Sequence, residues 1–273
     1  MASYIEHRGI AGLFRASFLL YWRFLTPLAL ISASIFLPLF VSRDIGDWID
    51  QKHSRYIDFA ANVGINPVLT ALADFVLISE ISQACFGDDI SPHRGFSRIA
   101  FGGTFRLYAV TWTMILLLIL SLAVPISAFV VADALHLPDF QQNLVVAVAA
   151  IFAVAAAVVV FMTYFFSVPA IILERCAWWG AIKRGLKLGL TSFWKTLWYS
   201  SLFFLALGLA GNVALGLDHL FLTTSTFIHD SLEVVFFTPL GAIFQTLLYY
   251  NLRIERQEMT AETIVQLQTL QAV

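Results

Sequence analysis

Charge is scarce in this sequence: Asp, Glu, Lys and Arg make up only 12% of its 273 residues, and 16 basic residues nearly balance 18 acidic ones. A formal net charge of -2 supplies no long-range attraction for nucleic acid, so no nucleic-acid partner is expected. Cysteine is almost absent. Cys85 and Cys176 fall at or just past the ends of apolar segments read below as cytoplasmic, where thiols stay reduced, and a disulfide is not expected. The usual catalytic signatures are also missing. There is no Gly-x-Ser-x-Gly elbow, no phosphate-cradling glycine loop and no His-Glu-x-x-His, and no nucleophile can be paired with a base. The expectation is a protein that is not an enzyme and carries no metal or cofactor. Asp218-His219 and His229-Asp230, flanking one short loop, are the nearest approach to a metal site.

Hydrophobic residues, by contrast, make up 59% of the chain, with 25 Phe. Apolar segments run over 24–41, 67–86, 107–132, 144–173, 196–217 and 231–252. Each approaches the ~20 residues that cross a hydrocarbon core, and one soluble domain has no room to hide six of them. Backbone amides in lipid must be satisfied within their own segment and period-2 alternation is absent, so the spans read as helices. The fold class is therefore an all-α integral membrane protein with about six transmembrane helices. The segment 67–86 is the weakest of the six, because it contains Asp74 and Glu80. The first run follows Arg8, Arg15 and Arg23 without a small-residue cleavage site, and is read as a retained span.

Lys and Arg are sorted to alternate connections. Arg8, Arg15 and Arg23 precede the first span; Arg94, Arg98 and Arg106 lie in the second connection. Arg175, Lys183, Arg184, Lys187 and Lys195 lie in the fourth, and Arg253 and Arg256 follow the last span, making 13 of the 16. The positive-inside rule then puts both termini in the cytoplasm of a cell bounded by an inner membrane. Rings such as Tyr21, Trp22, Tyr108, Trp112, Trp194, Trp198, Tyr199, Tyr249 and Tyr250 cluster at the same ends, as headgroup-level residues do.

A short amphipathic stretch precedes each odd-numbered span and begins with the same dipeptide, Arg8-Gly9, Arg94-Gly95 and Arg184-Gly185. Apolar positions follow a helical period in each: Ile10, Leu13, Phe14 and Phe18; Phe96, Ile99, Gly103 and Leu107; Ile182, Leu186, Gly189, Leu190 and Phe193. Lys183, Arg184, Lys187 and Thr191 occupy another face of the third, as a helix lying in the membrane interface requires. The unit inferred is elbow helix, outward span, return span, repeated over 5–86, 91–173 and 178–252 within one membrane domain, with 253–273 as a cytoplasmic tail. Two spans per unit keep the orientation constant, so a pseudo-symmetry axis runs along the membrane normal.

The third unit reads Ser-Val-Pro-Ala-Ile-Ile-Leu-Glu over 167–174, Ala-Ile-Lys-Arg-Gly-Leu-Lys-Leu over 181–188, then Phe193-Trp194-Lys195, Thr238-Pro239-Leu240 and Leu-Leu-Tyr-Tyr-Asn-Leu-Arg-Ile-Glu over 247–255. These segments resemble the bacterial multi-pass group that includes the membrane domain of glycerophosphoryl diester phosphodiesterases. The resemblance covers about 167–256; it departs at Asn251, where an acidic residue is usual, and at Gly185, where Ser is usual. It implies an integral membrane module without chemistry of its own, since in those enzymes catalysis belongs to a separate soluble barrel.

A carboxylate inside a span is costly in lipid, and Asp74 is the first such residue. One reading makes it a protonatable group or cation ligand facing a cavity, and the other a packing residue bonded to Asn212, Gln245 or Thr70. Glu80 and Glu174 lie within reach of the basic elbows and read as ion-paired anchors. Pro27, Pro38, Pro125, Pro169 and Pro239 bend helices, and Gly208, Gly211 and Gly216 permit close packing. Arg8, Arg15, Arg94, Arg98, Lys183, Arg184 and Lys187 are the candidates for anionic lipid headgroups, each contributing ~1 kcal/mol near a charged leaflet. The expected function is a module that binds anionic lipid or another membrane protein. The alternative is a transporter or permease using a polar site near Asp74.

Overall fold

The computed structural model describes residues 9–49, 66–97, 101–136, 138–221 and 226–256, with side chains placed for 9–38, 66–93, 95–96, 102–136, 138–209 and 234–256. Every regular element among them is an α-helix: α1 (Ile10–Arg23), α2 (Leu25–Ile49), α3 (Asn66–Phe86), α4 (Pro92–Ser97), α5 (Phe101–Ala134), α6 (Asp139–Glu174), α7 (Trp178–Thr191), α8 (Phe193–Phe221) and α9 (Thr226–Glu255). Three of these, α3, α5 and α6, are long and apolar enough to cross a membrane, and a fourth span is added if α1 and α2 are taken together. The last pair is bent by 78° at Phe24, whose amide still donates to the Leu20 carbonyl. α8 and α9 are helical over 29 and 30 residues.

Burial sorts the helices. In α3, the segment with the least apolar sequence, 61% of the membrane-length window is buried inside the protein, against 11% in α5 and in α6. Asp74 and Glu80 thus sit on a helix surrounded by protein, where polar groups find partners that lipid cannot supply. Between their polar ends, α5 and α6 leave uncovered mostly apolar residues, among them Leu120, Ile126, Phe129, Ile151 and Phe152. Such an uncovered surface suits hydrocarbon and is unsuited to water.

α3, α6 and α9 each touch the other two and form the middle of the bundle. α5 packs along α6, and α2 lies against both α3 and α9. The N-terminal helix α1 also rests on α9, so the start of the chain is seated against its end. An aromatic cluster fixes this contact: Phe203 of α8 and Phe244 of α9 stack at 3.9 Å, with Phe14 of α1 at 5.7 Å from Phe244, edge-on. The buried stripe of α1, Leu13, Ala16, Ser17, Leu20 and Tyr21, has the helical period expected of a helix docked on one side.

The three elbow stretches fold differently from one another. α1 and α7 are 14-residue helices, whereas the second stretch yields only the six residues of α4; Gly103 and Leu107, expected to close it, belong to α5 instead. In α7 the buried stripe is Ala181, Ile182, Gly185, Leu188 and Gly189, while Leu186 and Leu190 are exposed. Ala181, Gly185 and Gly189 thus face the protein together with Ile182 and Leu188, and the small residues let α7 approach α6 closely. A Cβ on Gly185 would collide with Ser167 Oγ and the Thr163 carbonyl, and one on Gly189 would come within 3.3 Å of Met162. Gly208 differs, since a Cβ there meets open space; it does not mark a tight helix contact. Gly211 and Gly216 lie outside the described side chains.

Candidate functional site

The C-terminal ends of the three central helices converge on a polar cluster. α6 ends at Glu174, and the next residue, Arg175, takes the left-handed conformation (φ 52°) that turns the chain toward α7. This turn brings α7 back along α6 and places the Arg184 guanidinium 2.8 Å from one Glu174 oxygen. The other oxygen receives Arg253 of α9 at 2.6 Å and the Tyr249 hydroxyl, one turn earlier on the same helix. Arg253 and Glu174 are largely buried, with side-chain exposures of 7% and 13%. Two guanidiniums facing one carboxylate leave a net positive charge in a place partly removed from water. Such pairs hold only when geometry and hydrogen bonds are good, and here every oxygen of the carboxylate is engaged.

Further bonds tie the same ends together. Tyr250 of α9 and Ser82 of α3 share a hydrogen bond of 2.6 Å. The Gln245 amide donates to the Phe165 carbonyl at 2.6 Å, so this glutamine joins α9 to α6 and is not placed as a partner of Asp74. Beyond the cluster, Arg256 donates to Ser192 Oγ at 2.9 Å and Lys195 pairs with Glu255 at 2.5 Å, which fastens the end of α9 to the joint between α7 and α8. Arg106 donates to the Arg175 carbonyl at 3.1 Å. Tyr249 and Tyr250, read from the sequence as headgroup-level rings, are instead fully buried, whereas Trp22, Trp194 and Trp198 are exposed.

Glu80 forms a second, smaller joint. It is fully buried, and its Oε2 accepts the Ser91 amide at 3.0 Å, holding the start of α4 against α3. Gly95 lies over it, since a Cβ there would meet Val76 at 2.8 Å and Glu80 at 3.0 Å. Asp74 lies about one and a half turns away on the same helix, and the Tyr164 hydroxyl of α6 lies 3.4 Å from Thr111 Oγ1. Arg15, Lys183 and Lys187 are exposed. Arg8, Arg98 and the side chains of Arg94 and Asn212 lie outside the described residues.

Both cysteines are free, Cys85 buried and Cys176 partly so. Burial raises the Cys176 thiol above its ordinary pKa, Glu174 raises it further, and the neighbouring Arg184 and Arg253 oppose the shift. Since the thiolate is the reactive form, this cysteine is not an activated nucleophile. Nor is Glu174 a free base, because Arg184, Arg253 and Tyr249 saturate it. The cluster is built to join helices. Among the described residues there is no group of three or more His, Cys, Asp or Glu placed to hold a metal ion.

A separate feature is an apolar cleft of about 670 Å³ bounded by α5, α6 and α8. Its few hydroxyls are Thr111 and Tyr164, already paired, with Ser200 and Ser201. No known family, curated protein or solved structure matches the chain.

Proposed function

We propose that the chain is a non-enzymatic six-span membrane module that holds anionic phospholipid headgroups through its basic elbow helices. On this reading both termini are cytoplasmic and the three elbow–span–span units surround an axis along the membrane normal. Support for the repeat comes from the seating of the elbows: α1 rests on α9, α4 on α3 and α7 on α6, each on the return span that precedes it around the ring. The Arg-Gly glycines of the second and third units also press on equivalent places, Gly95 on Val76 and Glu80 and Gly185 on Thr163 and Ser167, residues one turn apart in both cases. Gly9 makes no such contact.

The observation that carries the lipid reading is the division of labour on α7. Arg184 turns inward to Glu174, whereas Lys183 and Lys187 are exposed, Lys183 over the exposed ring of Trp179. A helix docked on protein by its small residues, with Leu186 and Leu190 exposed and two lysines without an inward role, is arranged to meet a charged leaflet. Replacing Lys183 and Lys187 by Gln is expected to weaken the protein's retention of phosphatidylglycerol by about 30-fold, at ~1 kcal/mol per charge. Unchanged retention of that lipid refutes the proposal.

A second reading, transport, rests on Asp74, which is partly accessible on the most enclosed of the candidate spans. It requires that a Cys at position 74 react with a water-soluble thiol reagent from at least one side.

A further inference from the structure

The joint between α7 and α8 is the same bend as the one between α1 and α2, made from different residues. Ser192 (φ -118°, ψ 31°) and Phe24 (φ -117°, ψ 23°) share one backbone conformation. In each, the amide donates four residues back, to Leu188 or Leu20, and the carbonyl accepts from four residues on, Thr196 or Leu28. At the first joint Phe24 and Leu28 are both buried and Pro27 has no amide to offer. The bend itself therefore needs no hydroxyl. At the α7–α8 joint the corresponding places hold Ser192, Thr196 and, for Pro27, Lys195.

These differences assemble hydrogen-bond donors. The ladder of α7 closes on the Ser192 amide and that of α8 opens with the Thr196 amide, so the amides of Phe193, Trp194 and Lys195 donate to no carbonyl among the described residues. They stand at the positive end of a 29-residue helix whose first turn has no acidic residue. Ser192 Oγ accepts Arg256 at 2.9 Å and keeps its own proton to give. Thr196 is fully buried, and its hydroxyl has no partner among the described residues, whereas Thr111, Thr163 and Thr246 each bond the carbonyl one turn back. In a helix the Cα–Cβ bond leans toward the N-terminus, so this hydroxyl lies over the turn at Ser192, on the side of the open amides. A buried hydroxyl without a partner is costly, and Leu28 shows that the bend does not require it. Lys195 is held by Glu255 at 2.5 Å, which leaves Arg256 as the positive charge of the cluster.

We infer that the α7–α8 joint is a phosphate site, in which the open amides of α8, the hydroxyls of Ser192 and Thr196 and the Arg256 guanidinium hold the phosphate of an anionic phospholipid. A tetrahedral oxyanion suits a helix N-terminus, because several N–H groups converge on it and the helix dipole favours its charge. Lipid is the source, since Trp194 and Trp198 are exposed beside the joint, as headgroup-level rings are, and Leu205 and Leu209 continue an exposed apolar stripe along α8. The inference rests on the headgroup reading above and gives the phosphate a seat apart from Lys183 and Lys187.

The test titrates phosphatidylglycerol into the full chain in a phosphate-free maltoside detergent and counts the retained lipid by native mass spectrometry. Thr196→Val is expected to lower retention about tenfold, the loss of one hydrogen bond to a charged group, while leaving the unfolding midpoint no lower than that of the parent. Thr196→Ser, which keeps the hydroxyl, is expected to retain lipid as the parent does. Ser192→Ala is expected to act in the same direction as Thr196→Val and covers the case in which that variant does not fold. Unchanged retention in both variants overturns the site, as does a loss that Thr196→Ser shares. Inorganic phosphate at the concentration of the lipid is expected to leave the lipid bound; its displacement overturns the lipid as the source of the phosphate. Weakened retention in Lys183→Gln with Lys187→Gln, but in neither joint variant, overturns the joint and leaves the headgroup reading standing. Weakened retention in the joint variants alone supports the joint and overturns the role of the two lysines.

Discussion

The two ends of α6 are made of different material. From Met162 to Leu173 nearly every side chain is buried, and the stretch includes Thr163, Ser167 and Pro169; beyond the polar first turn at Asp139–Asn143, the other half from Leu144 to Phe161 is aliphatic and Phe, mostly uncovered. One half is recognised by protein and the other by solvent of its own kind. The buried half carries the polar residues because each has a fixed partner there. Ser167 Oγ lies 2.6 Å from the Thr163 carbonyl and 3.1 Å from that of Ala181, and Glu174 closes the helix on two arginines. The uncovered half needs only to be apolar, because lipid tails distinguish little among aliphatic side chains.

Three substitutions and one control would break or sharpen this contrast. The largest effect is expected from Glu174→Gln, which leaves the nearly buried Arg253 without its carboxylate and should destabilise the fold by about 3 kcal/mol, measured as denaturant unfolding in mixed micelles. Next is Gly185→Ala, whose methyl group has to displace Ser167 or the α6 backbone and should cost about 2 kcal/mol. Gly208→Ala, facing open space, serves as its control and should be close to neutral. Smallest is Phe152→Ala in the uncovered half, expected within about 0.5 kcal/mol of the parent despite the loss of a large ring. A large loss at Phe152 would mean that protein, not lipid, covers that face.

The apolar segments marked the helices well because hydrophobic run length is a local property, and α3, expected over 67–86, spans Asn66–Phe86. Pairing was less legible. Glu174 was visible as a carboxylate near basic elbows, but Arg253 counted only as a charge that sets orientation, and Tyr249 as an interfacial ring. Their four-residue spacing at a helix end was the available signal, since it stacks both on one face. The tyrosine's role depends on α9 lying beside α6, which no local pattern encodes. The small-residue stripe of α7 was hidden for a related reason: a periodicity search weights Leu186 and Leu190, whereas close approach is governed by Gly185 and Gly189. The segments 167–174, 181–188 and 247–255 supply the residues that meet around Glu174.

The seating of α1 and α2 against α9 bears on biogenesis. Synthesis runs from the N-terminus, so α1 leaves the ribosome well before α8 and α9, which carry the rings it docks on. Phe14 gains its first ring contact when Phe203 arrives and its second with Phe244, and until then α1 waits at the lipid surface with that docking face uncovered. A ribosome that stalls before α8 therefore releases a product whose α1 lacks both aromatic partners.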